Sequence, residues 1–256
     1  MRRQALVLSV IVGLAVPAAL LGNGLWLLVN DWYVHAEYAR PGFPDDRYGL
    51  TSSQRTELAL VGLDAIHPFN SRGVDVLREA RLPEGGAAFN GRELVHMSDV
   101  RGLVGNVLLA HLLAVAAIVT IAFAAHARRL SGVVSRGLLW GSGLTLGIAG
   151  ALGLYMLANF DGFFVQFHEA LFTGDTWRFR SGDTLLRLYP DAFWSDFAGL
   201  LAGLTVLQAI VLGGVLWRRR RRLARARALA QDDSAVGLTG STSEPKGWPG
   251  ASEPAG

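Results

Sequence analysis

Two histidines in this chain each have a carboxylate at helical spacing, and that pairing is the residue set for moving protons. His168 sits among Phe160, Phe163, Phe164, Phe167 and Phe172. The first four follow i, i+3, i+4, i+7 and so form one stripe of a helix. At 100° per residue, His168 falls at the edge of that stripe, on nearly the bearing of Asp161 two turns earlier. His96 precedes Asp99 by three residues, on a helical line that also carries Arg92 and Asn106. A carboxylate at that spacing can hold and bias an imidazole. An imidazole, with an ordinary pKa of ~6.5, both takes and gives protons near neutral pH. The chemistry suggested is acid–base catalysis beside an apolar surface. Two plainer readings stay open on spacing alone. His168 can serve as an interfacial anchor of an amphipathic helix, and the Arg92–Asp99 line as a solvated polar face.

Other chemistries lack their residues. The chain has no cysteine, which removes disulfides, a cysteine nucleophile and cysteine metal sites. No G-x-S-x-G elbow, phosphate loop or HExxH spacing occurs. No metal and no cofactor are therefore assigned. His111 lies within an apolar run and reads as a satisfied helix–helix contact, although ionisable groups at such depth are functional candidates. His67 and His126 read as surface residues; Trp177, Tyr189 and Trp194 read as interfacial belt aromatics.

These residues hang on a membrane frame. Half of the 256 residues are apolar (51%), and they gather into four long blocks. The fold class expected is all-α: four transmembrane helices with a small helical and loop extracytoplasmic cap. Spans are assigned to residues 1–29, 104–125, 138–160 and 193–217. The cap covers 30–103, a cytoplasmic loop 126–137, an extracytoplasmic amphipathic segment 161–192, and a basic, then disordered, cytoplasmic tail 218–256. The first run is read as a retained anchor, being about twice the length of a signal-peptide core. Arg128, Arg129 and Arg136 in the short loop, and Arg218–Arg222 after the last span, place both termini inside. The two outward regions agree: 11 acids and 8 arginines in the first, 5 and 3 in the second. The arginine run suits anionic lipid headgroups and needs no nucleic acid. In the cap, Thr51 with Glu57 suggests a helix start, 73–80 a short helix, and Gly91 onward a helix running into the second span. The cap is small enough that no deep core is expected.

Two stretches resemble a known family. Residues 89–101, FNGRELVHMSDVR, resemble the FNxRELxHMxDVK segment of a four-span bacterial membrane family. Asn159, Phe160, Asp161, Phe164, Phe167, His168, Glu169, Phe172, Asp175, Trp177, Asp183, Tyr189 and Pro190 match its other signature. The family is the lipoprotein intramolecular transacylases, and the resemblance covers roughly residues 1–217. It departs at Gly174, where asparagine is expected, at Arg101 for lysine and at Trp194 for phenylalanine.

The resemblance implies an acyltransferase in the bacterial plasma membrane, with its site at the outer leaflet. It would move the sn-2 acyl chain of a diacylglyceryl-cysteine to that cysteine's α-amino group, giving a lyso-form lipoprotein. Its partners would be diacylglyceryl-modified lipoproteins and membrane lipids. His168 is assigned as principal base, His96 as partner acid/base, and Asp99 and Asp161 as orienting carboxylates. Arg92, Arg101, Tyr155, Phe164, Phe167 and Arg187 are assigned to substrate binding, with an arginine or a tyrosine as oxyanion donor. Two other classes remain: a histidine-dependent membrane lipid or lipoprotein hydrolase, and a non-catalytic protein whose outer cap binds a partner or lipid.

Overall fold

In the computed structural model, described for residues 2–130 and 132–240, the chain is helical with one isolated bridge between Arg81 and Ala87. The helices are α1 (Arg2–Leu28), α2 (Asp31–Tyr38), α3 (Ser52–Ile66), α4 (Asp75–Glu79), α5 (Gly91–Ala127), α6 (Val133–Ala158), α7 (Phe160–Leu171), α8 (Thr184–Leu188) and α9 (Asp191–Gly240). Four of them, α1, α5, α6 and α9, are long and apolar enough to cross a membrane. This is a multi-pass membrane protein. Leu14, Leu112, Val119, Phe123 and Leu157 lie exposed along these helices, as side chains facing lipid must.

Small residues set the packing of α1 on α6. Gly137 and Gly141, four apart, present a bare backbone to α1; a Cβ on either would stand 2.6 Å from the carbonyl oxygen of Ser9 or Gly13. Gly13 in turn lies under the Trp140 ring, and Gly22 under His111. Such close approach lets dispersion hold helices that gain nothing from excluding water. The His111 Nδ1 meets the Ala19 carbonyl at 3.1 Å, a helix–helix contact as read from the sequence.

The cap has a deeper core than its length suggested. Leu28, Ala59, Ala65, Leu77 and Leu188 are fully or almost fully enclosed, joined by Tyr33, Phe89, Met97 and Phe193. Residues 30–103 alone would not build this. The core recruits the top of α1, the polar start of α5, α8 and the first turn of α9. Tyr189, read as a belt aromatic, is buried here, and its hydroxyl donates to the Ala59 carbonyl at 2.7 Å.

Caps place the helices. Thr51 caps α3, but its partner is Gln54, at the N3 position, and not Glu57. Asn90 caps α5 with Glu93 in the same reciprocal arrangement. Neither α2 nor α8 was foreseen from the sequence. By contact, the described residues up to Gly213 form one compact unit and those from Gly214 another. In the second, α9 remains helical through Gly240, where composition suggested disorder from residue 231. The alanines and leucines of 223–230 are strong helix formers, and no proline follows before Pro245. Residues 241–256 lie outside the described ones. Within this unit Arg221 lies over Trp217 at 3.8 Å.

Candidate active site

The site begins at the ends of two helices. Asn159 leaves the helical conformation after α6, and its side-chain oxygen accepts from the Gly162 amide at 2.9 Å, which starts α7. The four phenylalanines then fall on one stripe, with Phe160 against Phe164 (6.2 Å) and Phe163 against Phe167 (6.1 Å). Tyr155 of α6 meets this stripe through Phe163, at 5.9 Å. His168, one turn before the C-cap Phe172, is buried, so it lies within the aromatic cluster and not at its margin.

On α5 the line of Glu93, His96 and Met97 turns into the protein while Arg92 and Val95 stay exposed. His96 thereby meets His168, with ring centroids 6.0 Å apart and planes 26° from parallel. Phe172 closes on both, 5.1 Å from His96 and 5.4 Å from His168. Phe164 lies 4.1 Å and Phe167 5.5 Å from His168. The loop after α7 supplies Trp177, 5.0 Å from His168, and Phe179, 5.2 Å from His96.

Burial sets the charge state of the pair. It lowers the His168 pKa, partly countered by a hydrogen bond of 2.8 Å to the Phe164 carbonyl. A carbonyl only accepts, so the neutral ring donates from Nδ1 and leaves the Nε2 lone pair free. His96 stands in the polar first turns of α5, ahead of the apolar stretch 104–125. Burial, and then the neighbouring charge of His168 when protonated, push its pKa down to about 4. Its Nδ1 is buried with no hydrogen-bond partner among the described residues. A proton on either ring opposes a second on its neighbour by like charge.

The carboxylates expected to orient these rings do not reach them. Neither Asp99 nor Asp161 makes a hydrogen bond or ion pair among the described residues. Asp161 is exposed in the first turn of α7, where it complements the helix dipole. Seven residues at ~1.5 Å rise put it about 10 Å along the axis from His168, beyond hydrogen-bond reach. The backbone carbonyl of Phe164 takes the orienting place instead. Asp99 is half-buried on α5, while the His96 ring turns into the aromatic cluster.

Two of the three expected arginine ligands are likewise committed elsewhere. Arg101 donates to the carbonyls of Ala65, His67 and Asn70 at 2.7–2.9 Å, closing the end of α3. Arg187 forms a two-pronged ion pair with Asp46, both bonds 3.0 Å, in a buried place. Burial alone would raise the Asp46 pKa. Arg187 and the amides of Leu50 and Tyr48 outweigh it and hold the carboxyl below its usual range. Tyr33, Tyr38 and Tyr189 donate to backbone carbonyls. Arg92 alone of the three arginines stays exposed. Its Nη1 donates to the Arg178 carbonyl at 2.9 Å, between Trp177 and Phe179 at the rim of the site.

One carboxylate that sequence reasoning passed over clasps the two motifs together. Glu93 accepts from the Leu185 amide at 2.6 Å and the Asn90 amide at 2.7 Å. Asn90 donates to Asp183 at 3.0 Å, and the Thr184 hydroxyl to the Ala88 carbonyl. Burial raises the Glu93 pKa against these amides. The signal for it was the N-x-x-E capping spacing inside FNGRELVH. Trp177, read as a belt aromatic, belongs to the site, as does Phe179. Gly174 adopts φ +77°, a conformation open to glycine and asparagine alike, so the departure from the family pattern keeps the turn.

Comparison with known proteins bears on the family and the fold. The family model described as "Lipoprotein intramolecular transacylase Lit" matches residues 11–194. An uncharacterized protein of Aquifex aeolicus (strain VF5) is 32% identical over 212 residues, 80% of this chain and 94% of that one. The solved lipoprotein intramolecular transacylase Lit of Bacillus cereus superposes with a TM-score of 0.66 at 16% identity, over 90% of this chain and 100% of its own. A histidine-to-alanine variant of it gives 0.66 at 18% identity, over 86% and 96%. At these identities the structures establish the fold. The family model, spanning most of the chain and both motifs, establishes kinship: the chain belongs to the lipoprotein intramolecular transacylase family.

Proposed function

We propose that this protein moves the sn-2 acyl chain of a diacylglyceryl-modified lipoprotein onto the α-amino group of the same lipidated cysteine. The observation that carries the reading is the contact of His96 with His168 in an apolar, aromatic enclosure. An α-ammonium has a pKa of ~8 and must lose a proton before it attacks. The Nε2 of His168, free because Nδ1 is engaged, takes that proton. The nitrogen attacks the ester carbon, the glyceryl C–O bond breaks and the departing oxygen takes the proton back. One C–N bond replaces one C–O bond; the nitrogen gives up a second proton as the neutral amide forms, so from the ammonium one proton is released overall.

His96 shares the transferred proton as partner acid/base. Burial favours neutral rings, so both are ready to accept at neutral pH. Amine and ester belong to one molecule, and holding them in attack geometry lowers the barrier greatly. The phenylalanines exclude the water that would hydrolyse the ester. Arg92, at the rim with donors to spare, meets the substrate, with Tyr155, Phe164 and Phe167 along the acyl chain. The site faces the outer leaflet, where diacylglyceryl lipoproteins are displayed.

The test is mass spectrometry of a lipoprotein N-terminus from a host lacking its own N-acyltransferase, with and without this protein. Transfer conserves total mass and fragmentation then finds the chain on nitrogen. Loss of one acyl group would indicate hydrolysis, and unchanged fragments from well-expressed protein would overturn the catalytic reading.

A further inference from the structure

His168 must carry a positive charge during the proposed reaction, yet among the described residues no anion touches it. Asp99 and Asp161 make no bond to it. Glu169, next to it in the chain, is turned to Arg178 at 3.3 Å, and Asp175 pairs with the same arginine at 3.4 Å. Burial opposes the imidazolium, and the His96 ring is a neighbour that repels it when charged. What faces the ring is aromatic surface: Phe164, Phe167, Phe172 and Trp177. Of these, indole has the strongest quadrupole for a cation. Trp177 turns its ring toward the imidazole at a tilt of 33°, centroids 5.0 Å apart, and is itself buried. It comes from a different segment from α7, so its placement relative to His168 is set by the fold.

We propose that Trp177 is a positioning residue that sets how readily His168 takes up a proton, its indole face stabilising the imidazolium. The same indole carries a second cation, the Arg178 guanidinium, 4.9 Å from the ring centroid. Two cations drawing on one ring weaken each other's hold. Arg178 therefore moderates the support that Trp177 gives, while Glu169 and Asp175 keep that arginine in place. The charged and titratable groups around His168 are thus His96 from α5, and Arg178, Glu169 and Asp175 at the Trp177 side. The catalytic meaning of this rests on the proposed reaction, but the physical relation between the rings does not.

The experiment replaces Trp177 alone by fluorinated tryptophans, through a suppressed stop codon, in the full chain in detergent micelles. Fluorine drains the ring's negative face with little change of shape. The His168 pKa is followed by nitrogen NMR of histidine-labelled protein, its signal assigned by His168→Gln among the six histidines. Stepwise fluorination is expected to lower that pKa, by roughly one pH unit at the tetrafluoro ring, as the cation–π attraction to the indole face is drained. Arg178→Gln is expected to raise it with native tryptophan and to have a smaller effect with the tetrafluoro ring. A His168 pKa unmoved across the series would overturn the inference. The two readings fail separately. A falling pKa without acyl transfer keeps this inference and defeats the reaction; acyl transfer with a fixed pKa does the reverse.

Discussion

His96 and His168, from helices far apart in sequence, stack at 6.0 Å inside a shell of five aromatic rings. One stands at the polar start of α5 and the other at the end of α7. In the proposed reaction the pair shares a proton, so the two residues would act as a unit. His168→Gln keeps much of the volume and removes the base, and should cost about 10²–10⁴ in rate. His96→Gln should also lower the rate. The double variant should lose little more than His168→Gln alone, since groups that act together are not additive. Initial rates of N-acyl lipopeptide formation check this; fully multiplicative losses would contradict a shared role.

Stability should depend on pH through the same pair. Both histidines have folded-state pKa values below the ordinary ~6.5, His96 near 4. The unfolded chain then binds protons that the folded one refuses, so stability is full above about pH 6.5 and falls as pH drops toward 4. His96→Phe, which cannot titrate, should flatten that slope. Melting temperatures of the micelle-bound protein between pH 4 and 7 are the measurement. An unchanged slope in His96→Phe would mean that other groups govern acid lability.

The arginines separate by task. Arg187→Ala leaves the buried Asp46 carboxylate unpaired and should cost about 3–5 kcal/mol of stability. Arg101→Ala frees three carbonyls at the end of α3 and should also destabilise. For both, the protein that remains folded should keep a near-native KM. Arg92→Ala should instead leave the melting temperature nearly unchanged and raise KM or lower kcat. A KM effect at Arg187 without loss of stability would restore it to the substrate.

The frame was legible because apolar runs of membrane length admit one structure, the helix. The α7 stripe and the single helix through Gly91 followed from period and the lack of a breaker. The site was legible only in part. Motif resemblance pointed to His96 and His168, and the structure joins them. Helical spacing suggested Asp99 and Asp161 as their carboxylates, but spacing fixes bearings on one helix and not which group a neighbouring element presents. The ring partners Trp177 and Phe179 arrive from an irregular loop, which has no period to read. Charge type alone could not say whether Arg101 and Arg187 bind substrate or backbone. Unpaired carbonyls at the end of α3 and a buried Asp46 are tertiary facts.

The clasp at Glu93 should matter without touching the chemistry. Its two oxygens take the amides of Asn90 and Leu185, so it caps α5 and anchors α8 at once. Glu93→Ala leaves both amides without their partner, that of Leu185 in a buried place, and should cost about 1–3 kcal/mol. Glu93→Gln keeps one oxygen and places an amide where the structure offers no acceptor, so it should rescue only part. Reduced protection of the Leu185 amide in hydrogen exchange would locate the damage at the junction of the two motifs.

Orientation closes the set. Arginines mark the loop 126–137 and the end of the last span, and the positive-inside rule expects such residues on the cytoplasmic side. A reporter fused after Arg222 should therefore report the cytoplasm, and one inserted near Gly85, an exposed turn with φ +93°, the outside. His96 and His168 belong to the same side as Gly85, because the polar start of α5 leads out of the membrane there. The diacylglyceryl substrate proposed here is exposed at the outer leaflet, so orientation and chemistry must agree. The opposite reporter pattern would place the stacked histidines at the inner leaflet and remove the substrate from their reach.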